Sequence, residues 1–451
     1  MCSYSYIPNT DEDIEDMLHE IGVEKPTDLF NHIPGELIFR GSLNLPKAVS
    51  EQEVLDRLSR LSHINADTRS YISFLGGGAY NHFIPPVVSH MIGRSEFYTS
   101  YTPYQPELSQ GTLQAIFEYQ TLMCMLTGME VSNASLYDGA SAAAEAVMMA
   151  GRVTGRKKII LSMTLNPEYR DVIKTYSEAF DGEIVELPYD ENGKTDLDAL
   201  GNSIDGETSC VVVQLPNFFG IIEELDKYEL VIHRKGALFI VAFSEPIAFG
   251  IVKPPGDFGA DIACGEGQSL GLPPGYGGPY LGIFTSRSSL VRNMPGRIVG
   301  ESVDADGRRA YVLTLSAREQ HIRREKATSN ICTNEGLCAL AATVYLSALG
   351  KQGIRKIALI NHKRAEYAKR CLMELPGFYL RFNSPTFNEF VLRTELDPAI
   401  VEKKLIKKRI IPGLPLGRYF RELRDCLLLT FTEMNTTDDI ERFCDALGGL
   451  K

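Results

Sequence analysis

The stretch that decides the fold is CVVVQLPNFFGIIEELDKYELVIHRKGALFIVA, residues 210–242. It begins with the apolar run Cys210–Gln214 and ends with a second apolar run, Leu238–Ala242. Between them, Leu225 to Arg234 has the apolar spacing of a helix. Short apolar runs separated by a helix are typical of buried parallel strands joined by a crossover. The stretch therefore predicts a βαβ unit.

The same pattern continues on both sides of this unit. Helical stretches separate further apolar runs that predict buried strands, at Lys158–Leu161, Glu183–Leu187, Asp261–Cys264 and Tyr280–Phe284. Upstream, a helix is expected from about Pro106 to Leu126, and an Ala-rich helix over Ala142–Ala150. Together these elements predict an α/β domain over 66–333, with a mostly parallel sheet and helices on both faces.

The two ends of the chain have a different organisation. Residues 1–65 predict a helical segment, with a helix that starts at Thr10 and ends at Gly22. Residues 334–451 predict a smaller α+β domain with two long helices followed by three strands and a last helix from Thr436. The expected helices and strands there are Glu335–Leu349, Ile354–Leu375, Phe378–Phe382, Glu389–Leu392 and Cys426–Phe431.

Composition limits the partners and the compartment. The chain has 451 residues and a formal net charge of −12, with scattered basic residues, so neither nucleic acid nor an anionic membrane is expected as a partner. Its nine cysteines include no Cys-x-x-Cys pair, and its histidines lack metal-ligand spacing. The N-terminus is polar and acidic, unlike a signal or transit peptide. We therefore expect a cytoplasmic protein with reduced thiols and no metal site.

Two motifs have both a functional and a structural interpretation. Gly267-Gln268-Ser269-Leu270-Gly271 matches the G-x-S-x-G pattern of serine hydrolases, but the following proline- and glycine-rich residues cannot form the helix that this chemistry needs. A structural loop is the better interpretation, and a hydrolase is a distant alternative.

Gly139-Ala140-Ser141 opens the Ala-rich helix, where small residues let an anion approach backbone N–H groups. From this motif alone, a tightly packed helix start is the better interpretation. The mixed-charge run Arg318–Lys326, taken alone, predicts a solvated helix face.

Several longer stretches resemble the amino-terminal half of the glycine cleavage P-protein, the half that also occurs as a separate alpha subunit. The matching stretches span the large domain: YTPYQPE at 101–107, SQG at 109–111, NAS at 133–135 with DG at 138–139, GAD at 259–261, GEGQS at 265–269 and REQHIRREKATSNIC at 318–332. The resemblance implies the aspartate-aminotransferase-like fold, fold type I of the enzymes that use pyridoxal phosphate (PLP). It also implies a large domain with a mostly parallel sheet and a smaller C-terminal domain.

The resemblance further implies a lost cofactor site. In the PLP-bearing half of the family a lysine holds the cofactor, and the corresponding positions here are roughly Gln268 and Ser269. No lysine occurs between Lys253 and Lys326, and where an aspartate is expected only Glu245 stands. Gly139, Ala140, Ser141, Gln268 and Ser269 would then form a vestigial site. PLP is expected in a partner beta subunit, and none is expected to be bound covalently by this chain.

The resemblance implies the PLP-dependent decarboxylation of glycine, and this activity needs partners because this chain alone carries no expected catalytic residue. They are the beta subunit, glycine and the lipoyl group of the H-protein, to which the complex transfers an aminomethyl group, and a heterotetramer is the favoured assembly. We hypothesise that an aromatic segment, residues 97–105, reaches the partner's cofactor through Tyr98, Tyr101, Tyr104 and Gln105, although rings that fill a dimer core are an equal alternative. The sequence also allows a stand-alone PLP enzyme that uses a lysine such as Lys326, or a purely structural subunit.

Overall fold

The chain divides into two compact units, Met1–Asn65 and Ala66–Lys451. The computed structural model describes residues 8–450 of the chain. The second unit contains every sheet of the described chain. The expected boundary between a large and a small domain at 333 and 334 stays a prediction.

The helices and strands follow the chain in this order. The α-helices are α1 (Asp11–Ile21), α2 (Glu51–Ser62), α3 (Pro86–Ile92), α4 (Ser95–Tyr98), α5 (Gln110–Thr127), α6 (Gly139–Thr154), α7 (Pro167–Glu178), α8 (Leu197–Ser203), α9 (Leu225–His233), α10 (Gln320–Arg323), α11 (Gly336–Met373), α12 (Pro398–Ile406) and α13 (Thr437–Gly448). The strands are β1 (Ile72–Ser73), β2 (Val131–Ser132), β3 (Lys158–Ser162), β4 (Glu183–Leu187), β5 (Thr208–Gln214), β6 (Leu238–Phe243), β7 (Ile262–Glu266), β8 (Gly282–Ser286), β9 (Ile298–Val303), β10 (Arg309–Thr314), β11 (Phe378–Leu380), β12 (Glu389–Thr394), β13 (Ile410–Ile411), β14 (Leu414–Pro415) and β15 (Cys426–Thr430).

A seven-stranded sheet forms the centre of the second unit. Its strand order is β2-β8-β7-β6-β5-β3-β4, and the pairings are parallel except for those of β8, which runs antiparallel to β2 and β7. Neighbouring residues of β5 enter opposite cores, Val213 on one face of the sheet and Val212 on the other. Helices cover both faces because each face is apolar. The predicted α/β fold with a mostly parallel sheet is confirmed.

A smaller antiparallel sheet lies further along the chain. Its order is β11-β12-β15-β14, and a core of Phe390, Leu429 and Phe443 joins it to helices α11, α12 and α13. Helix α13 begins as expected, because the Thr436 side chain accepts from the Asp439 N–H and the Asp439 carboxylate accepts from the Thr436 N–H. The predicted smaller α+β region is therefore present.

Helix α11 joins the regions of the two sheets. The sequence predicts two helices here, and the structure has one assigned helix, Gly336–Met373, with a break at Gly350 (φ 60°, ψ −179°). By length and composition alone this helix could cross a membrane, yet half of its most apolar stretch is buried within the protein. A core helix passes the same test, so this finding does not indicate a membrane span.

Two predictions about local structure are wrong, and one hairpin was not predicted. The helix expected from Pro106 begins only at Gln110, because the Pro106 carbonyl instead accepts from the Ser109 N–H in a turn. The run 318–326 is not one helix face, because it folds into the short helix α10 between two 3-10 helices, Ser316–Arg318 and Arg324–Lys326. The hairpin of β9 and β10 is missing from the prediction, although Asp304 and Gly307 form the turn between its strands.

The first unit consists of α1, α2 and a short 3-10 helix, Pro26–Phe30. Both α-helices begin with a reciprocal cap, formed by Thr10 with Asp13 and by Ser50 with Glu53. Helix α1 ends at Gly22, whose φ of 81° suits a residue without a Cβ atom. No residue between 8 and 65 is buried. Local signals therefore define this unit, and it has no core of its own.

Candidate functional site

The residues of the expected vestigial site meet where helix α6 starts beside the end of β7. The Gly139 N–H donates to Glu266 Oε2 over 2.9 Å, and the Gln268 N–H donates to Glu266 Oε1 over 3.0 Å. Ala140 and Ser141 lie in the first turn of α6, where the Ser141 N–H donates to the Asp138 carboxylate, 2.7 Å away. The structure thus brings both halves of the expected site together around one carboxylate.

That carboxylate, Glu266, occupies the position that an anion would take at the start of α6. Besides Gly139 and Gln268, it accepts from the N–H groups of Gly267 (3.0 Å) and Leu281 (2.9 Å). Burial raises the pKa of Glu266 to about 8, against the four N–H donors, which favour the ionised form. A Cβ atom added at Gly139 would lie 1.9 Å from the Tyr169 hydroxyl oxygen, so the helix start is also tightly packed.

Gln268 stands near the expected lysine position, and its side-chain amide is fully bonded. Its Oε1 accepts from the Tyr80 N–H (2.7 Å), and its Nε2 donates to the carbonyls of Tyr80 (2.9 Å) and Leu272 (2.6 Å). The neighbouring Ser269 is buried, and its hydroxyl has no hydrogen-bond partner among residues 8–450. No helix follows Ser269 and no histidine bonds to it within those residues, so the geometry of a serine hydrolase is not met.

Glu245 follows strand β6, and its carboxylate is already paired. Its Oε2 lies 2.9 Å from His82 Nε2, and His82 Nδ1 lies 2.9 Å from Glu433 Oε2. Burial lowers the pKa of His82, but the two carboxylates outweigh it and raise the pKa to about 10, so His82 is a cation at neutral pH. The imidazolium therefore neutralises the carboxylate that would otherwise be free.

A second buried carboxylate, Glu389, lies beside this pair. It accepts from the Tyr80 hydroxyl (2.9 Å), the Gly77 N–H (2.8 Å) and the Thr430 hydroxyl (2.7 Å). Burial raises the pKa of Glu389 to about 7. The segment that contains Gly77, Tyr80 and His82 thus bonds to Gln268 and Glu245 near the large sheet, and to Glu389 and Glu433 near the small one.

The residues present do not fit PLP. The cofactor needs an amine for its Schiff base, free N–H groups for its phosphate and a carboxylate for its ring nitrogen. Here an amide replaces the amine, Glu266 takes the Gly139 N–H and Asp138 takes the Ser141 N–H at the helix start, and His82 pairs with Glu245. Lys326, the lysine of the stand-alone alternative, lies exposed in a separate short turn.

Sequence reasoning missed the residues that fill this site. Tyr80 and His82 follow the glycine run 76–78, and Glu266 lies inside the quoted motif 265–269, but nothing local shows what they contact. His82 and its two carboxylates are separated by 163 and 351 residues, so only the fold brings them together. The one available signal is a single ionisable residue within an apolar stretch of sequence. Such a residue indicates a buried charge, but the sequence does not show which partner it bonds to.

The aromatic segment, residues 97–105, lies on the surface of the second unit. The side chains of Tyr98, Tyr101 and Tyr104 are 68%, 83% and 49% exposed. Tyr98 and Tyr101 line a cavity of about 250 Å³, together with Thr333 and Asn334 at the start of α11. Tyr104 faces Arg297, whose Nη2 donates to its hydroxyl over 3.1 Å.

The remaining expectations for the site concern Gln105 and metal ions. Gln105 is exposed and lies outside the lining of the cavity that Tyr98 and Tyr101 share. Within the part of the chain that the structure describes, no three His, Cys, Asp or Glu residues are grouped as a metal site.

Comparison with known proteins identifies the family of the chain. The family model described as "Glycine cleavage system P-protein" matches residues 4–447. A "Probable glycine dehydrogenase (decarboxylating) subunit 1" of Geobacillus sp. (strain WCH70) is 52% identical over 445 residues, which is 99% of each chain. A protein of the same name from Desulforamulus reducens (strain ATCC BAA-1160 / DSM 100696 / MI-1) is 51% identical, again over 99% of each chain.

Solved structures extend the comparison to the fold. The chain superposes with a TM-score of 0.92 and 42% identity on "glycine decarboxylase (P-protein) of the glycine cleavage system, in inhibitor-bound form", covering 99% of this chain and 100% of the other. A glutamate decarboxylase of Lactobacillus brevis shares the fold with a TM-score of 0.68 at 14% identity, over 92% of this chain and 95% of the other. The expected fold type I is confirmed, and the chain belongs to the glycine cleavage system P-protein family.

Proposed function

We propose that this chain is the cofactor-free alpha subunit of a glycine dehydrogenase (decarboxylating). The proposal is supported by an intact fold in which the chain's own side chains, Glu266, Gln268 and His82, are bonded to other groups of the chain at the site expected for the cofactor. Relatives of the same length are named subunit 1 of that enzyme, which implies a second subunit.

The proposed assembly supplies what this chain lacks. A beta subunit holds PLP, which stabilises the negative charge left on glycine when carbon dioxide leaves, and the lipoyl group of the H-protein receives the aminomethyl group. A heterotetramer of two alpha and two beta subunits is the proposed arrangement. A cytoplasmic location is part of the proposal, supported by the cysteines of the described residues, which are free thiols.

The contribution of this chain to the chemistry is the aromatic segment. Its tyrosines are exposed on the chain alone, and two of them, Tyr98 and Tyr101, line a cavity, which suits residues that complete a site across a subunit interface. Pressed against the partner, Tyr98, Tyr101 and Tyr104 orient glycine through their hydroxyl groups and exclude water from the reacting carbon. Gln105, exposed beside Tyr104, supplies an amide at the same surface.

Reconstitution tests the proposed function. Glycine–bicarbonate exchange, with lipoylated H-protein present, is measured for this chain alone, for the beta subunit alone and for their mixture. The proposal predicts exchange only in the mixture, with a rate that saturates at one alpha chain per beta chain. Exchange by this chain alone would contradict the proposal and favour a stand-alone enzyme.

Replacing Tyr101 by Phe separates the proposal from a purely structural subunit. The variant removes one hydroxyl from a side chain that is 83% exposed, so the fold is unaffected. At saturating alpha chain we expect exchange to fall by about 10-fold, the scale of a lost positioning contact. Tyr379→Phe, in the small sheet, is the matched control and keeps the wild-type rate. The same substitution is then made at Tyr98 and at Tyr104. Full activity of all three variants would show that this chain has only a structural role in the complex.

A further inference from the structure

We propose that Arg297 is the positioning residue of the aromatic segment, a buried arginine that holds both walls of the neighbouring cavity in place for the reaction. This inference rests on the proposed function. One buried side chain, which does not itself contact substrate, would then set the geometry of the aromatic segment.

The contacts of Arg297 show how it could do this. Its side chain is only 3% exposed. Its Nη2 donates to the Tyr104 hydroxyl (3.1 Å) and the Cys332 carbonyl (2.7 Å). Its Nη1 donates to Thr102 Oγ1 (3.3 Å), Thr333 Oγ1 (3.2 Å) and Asn334 Oδ1 (3.4 Å). One guanidinium therefore joins residues 102–104 to residues 332–334, segments that are more than two hundred residues apart in the sequence.

These acceptors belong to the cavity beside the exposed tyrosines. Thr102, Thr333 and Asn334 all line the cavity of about 250 Å³, and so do Tyr98 and Tyr101. Arg297 lies behind that wall and does not line it. Its bonds fix the distance between the aromatic segment and the start of α11, and with it the width of the cavity.

Tyr104 is held in two ways at once. Besides the bond to its hydroxyl, the guanidinium carbon of Arg297 lies 5.3 Å from the centroid of its ring. The His321 ring also packs edge-on against Tyr104, with the two ring centroids 5.8 Å apart. Tyr101, three residues earlier, makes no hydrogen bond through its side chain within the described chain, so its orientation depends on how firmly Tyr104 and Thr102 are anchored.

A simple buried ion pair does not account for this arrangement. The carboxylate nearest to Arg297 is that of Glu319, whose Oε2 lies 3.5 Å from Nε, beyond the usual hydrogen-bond length. The shorter contacts go to neutral oxygens on two different segments. This set of oxygen acceptors matches the planar fork of N–H groups in arginine. A lysine has a single ammonium group and cannot reach all of these oxygens together.

Arg297→Lys in the reconstituted complex is the kinetic test. The variant keeps the charge, and we expect the saturated exchange rate to fall by about 10- to 100-fold while the KM for glycine changes much less. A role only in assembly would shift the amount of alpha chain needed and restore the full rate at saturation. Arg287→Lys is the matched control, because Arg287 bonds to the carbonyls of Gly259 and Ala260, away from the segment.

A second readout reports on the segment without activity. The chain has no tryptophan, so Tyr101→Trp places a single reporter in the aromatic segment. We expect the fluorescence anisotropy of this reporter, in the purified full chain, to fall when Arg297→Lys is added and to stay constant with Arg287→Lys. An unchanged anisotropy would overturn the inference, and so would a lowered anisotropy with a full saturated rate. If the proposed function fails, the wild-type mixture shows no glycine–bicarbonate exchange. The anisotropy measurement does not depend on exchange, so it still decides whether Arg297 fixes the segment.

Discussion

At the residue scale, Glu266 and Gln268 carry the proposal that this chain holds no cofactor, because both are bonded to other groups of the chain. Glu266 takes the N–H groups of Gly139 and Gln268. The Gln268 side chain is bonded to Tyr80 and Leu272. The proposed function therefore implies a difference of more than one lysine, because the neighbouring side chains at the expected site bond to one another.

Restoring the lysine alone is expected to fail. Gln268→Lys places an amine at the expected position, but Glu266, Tyr80 and His82 still fill the site. We expect no pyridoxyl group at position 268 after incubation with PLP and borohydride reduction, measured by peptide mass spectrometry. The wild-type chain is the control for labelling of surface lysines, and thermal unfolding shows whether the variant folds. Stoichiometric label at position 268 would contradict the filled-site account.

His82 gives the stability a defined pH dependence. Its pKa is raised to about 10 in the folded chain, above its ordinary value near 6.5, so its contribution is complete below pH 6.5 and is lost as the pH rises through 10. We expect the free energy of unfolding to fall between pH 7 and 10 by at most about 1.4 kcal/mol per pH unit from this group. The double variant His82→Gln/Glu245→Gln removes the charge pair and should lack this slope in denaturant titrations. Parallel curves for both proteins would refute the assignment.

The sequence reaches only part of this site. The absence of a lysine between Lys253 and Lys326 is visible in the sequence, and so is the glycine at the start of α6. The His82 network is not, because its members lie on different elements far apart in the chain. Arg297 is likewise invisible there, since its acceptors are mostly neutral hydroxyl, amide and carbonyl oxygens that follow no spacing rule.

At the scale of elements, the sequence predicts buried strands well and polar ones poorly. The central strands β5 and β6 are mostly apolar along their length, which is the pattern expected of strands that are buried on both faces of the sheet. The hairpin β9–β10 carries Glu301, Ser302 and Arg309 in its strands and is missing from the prediction, although Asp-Gly at 306–307 is a common turn signal. The sequence places the start of α5 too early, because the helical spacing of apolar residues continues back through the preceding turn. In that turn the Pro106 carbonyl accepts from the Ser109 N–H.

Gly350 is the residue that interrupts α11. Its φ of 60° and ψ of −179° belong to a region that only glycine adopts readily, and no atom lies within 4 Å of an added Cβ. We therefore expect Gly350→Ala to destabilise the chain by about 1–3 kcal/mol through backbone strain alone. Gly111→Ala, at an open helical position of α5, is the control and should be neutral or stabilising by up to about 1 kcal/mol. Equal effects in urea unfolding would show that the break is not required.

At the scale of the whole molecule, the described part of the first unit, residues 8–65, contains no buried residue. In α2, Val54, Leu55, Leu58 and Leu61 form an apolar stripe and are between 39% and 58% exposed. Exposed apolar stripes of this kind mark interfaces. We expect Leu55→Ser/Leu58→Ser to leave thermal unfolding of the chain unchanged and to weaken its association with the beta subunit, measured by analytical ultracentrifugation. Arg57→Ser/Arg60→Ser, on the same helix, is the matched control. Wild-type association of the leucine variant would show that the stripe is not part of the interface.

The central claim is that this chain keeps the fold of a PLP enzyme while its partner holds the cofactor. Its most direct test is to incubate this chain, the beta subunit and their mixture with PLP, reduce each with borohydride and locate the pyridoxyl group by peptide mass spectrometry. The account predicts a stoichiometric label on one lysine of the beta subunit and none on this chain, alone or in the mixture. A stoichiometric label on any lysine of this chain, such as Lys326, would contradict it and indicate an independent PLP enzyme.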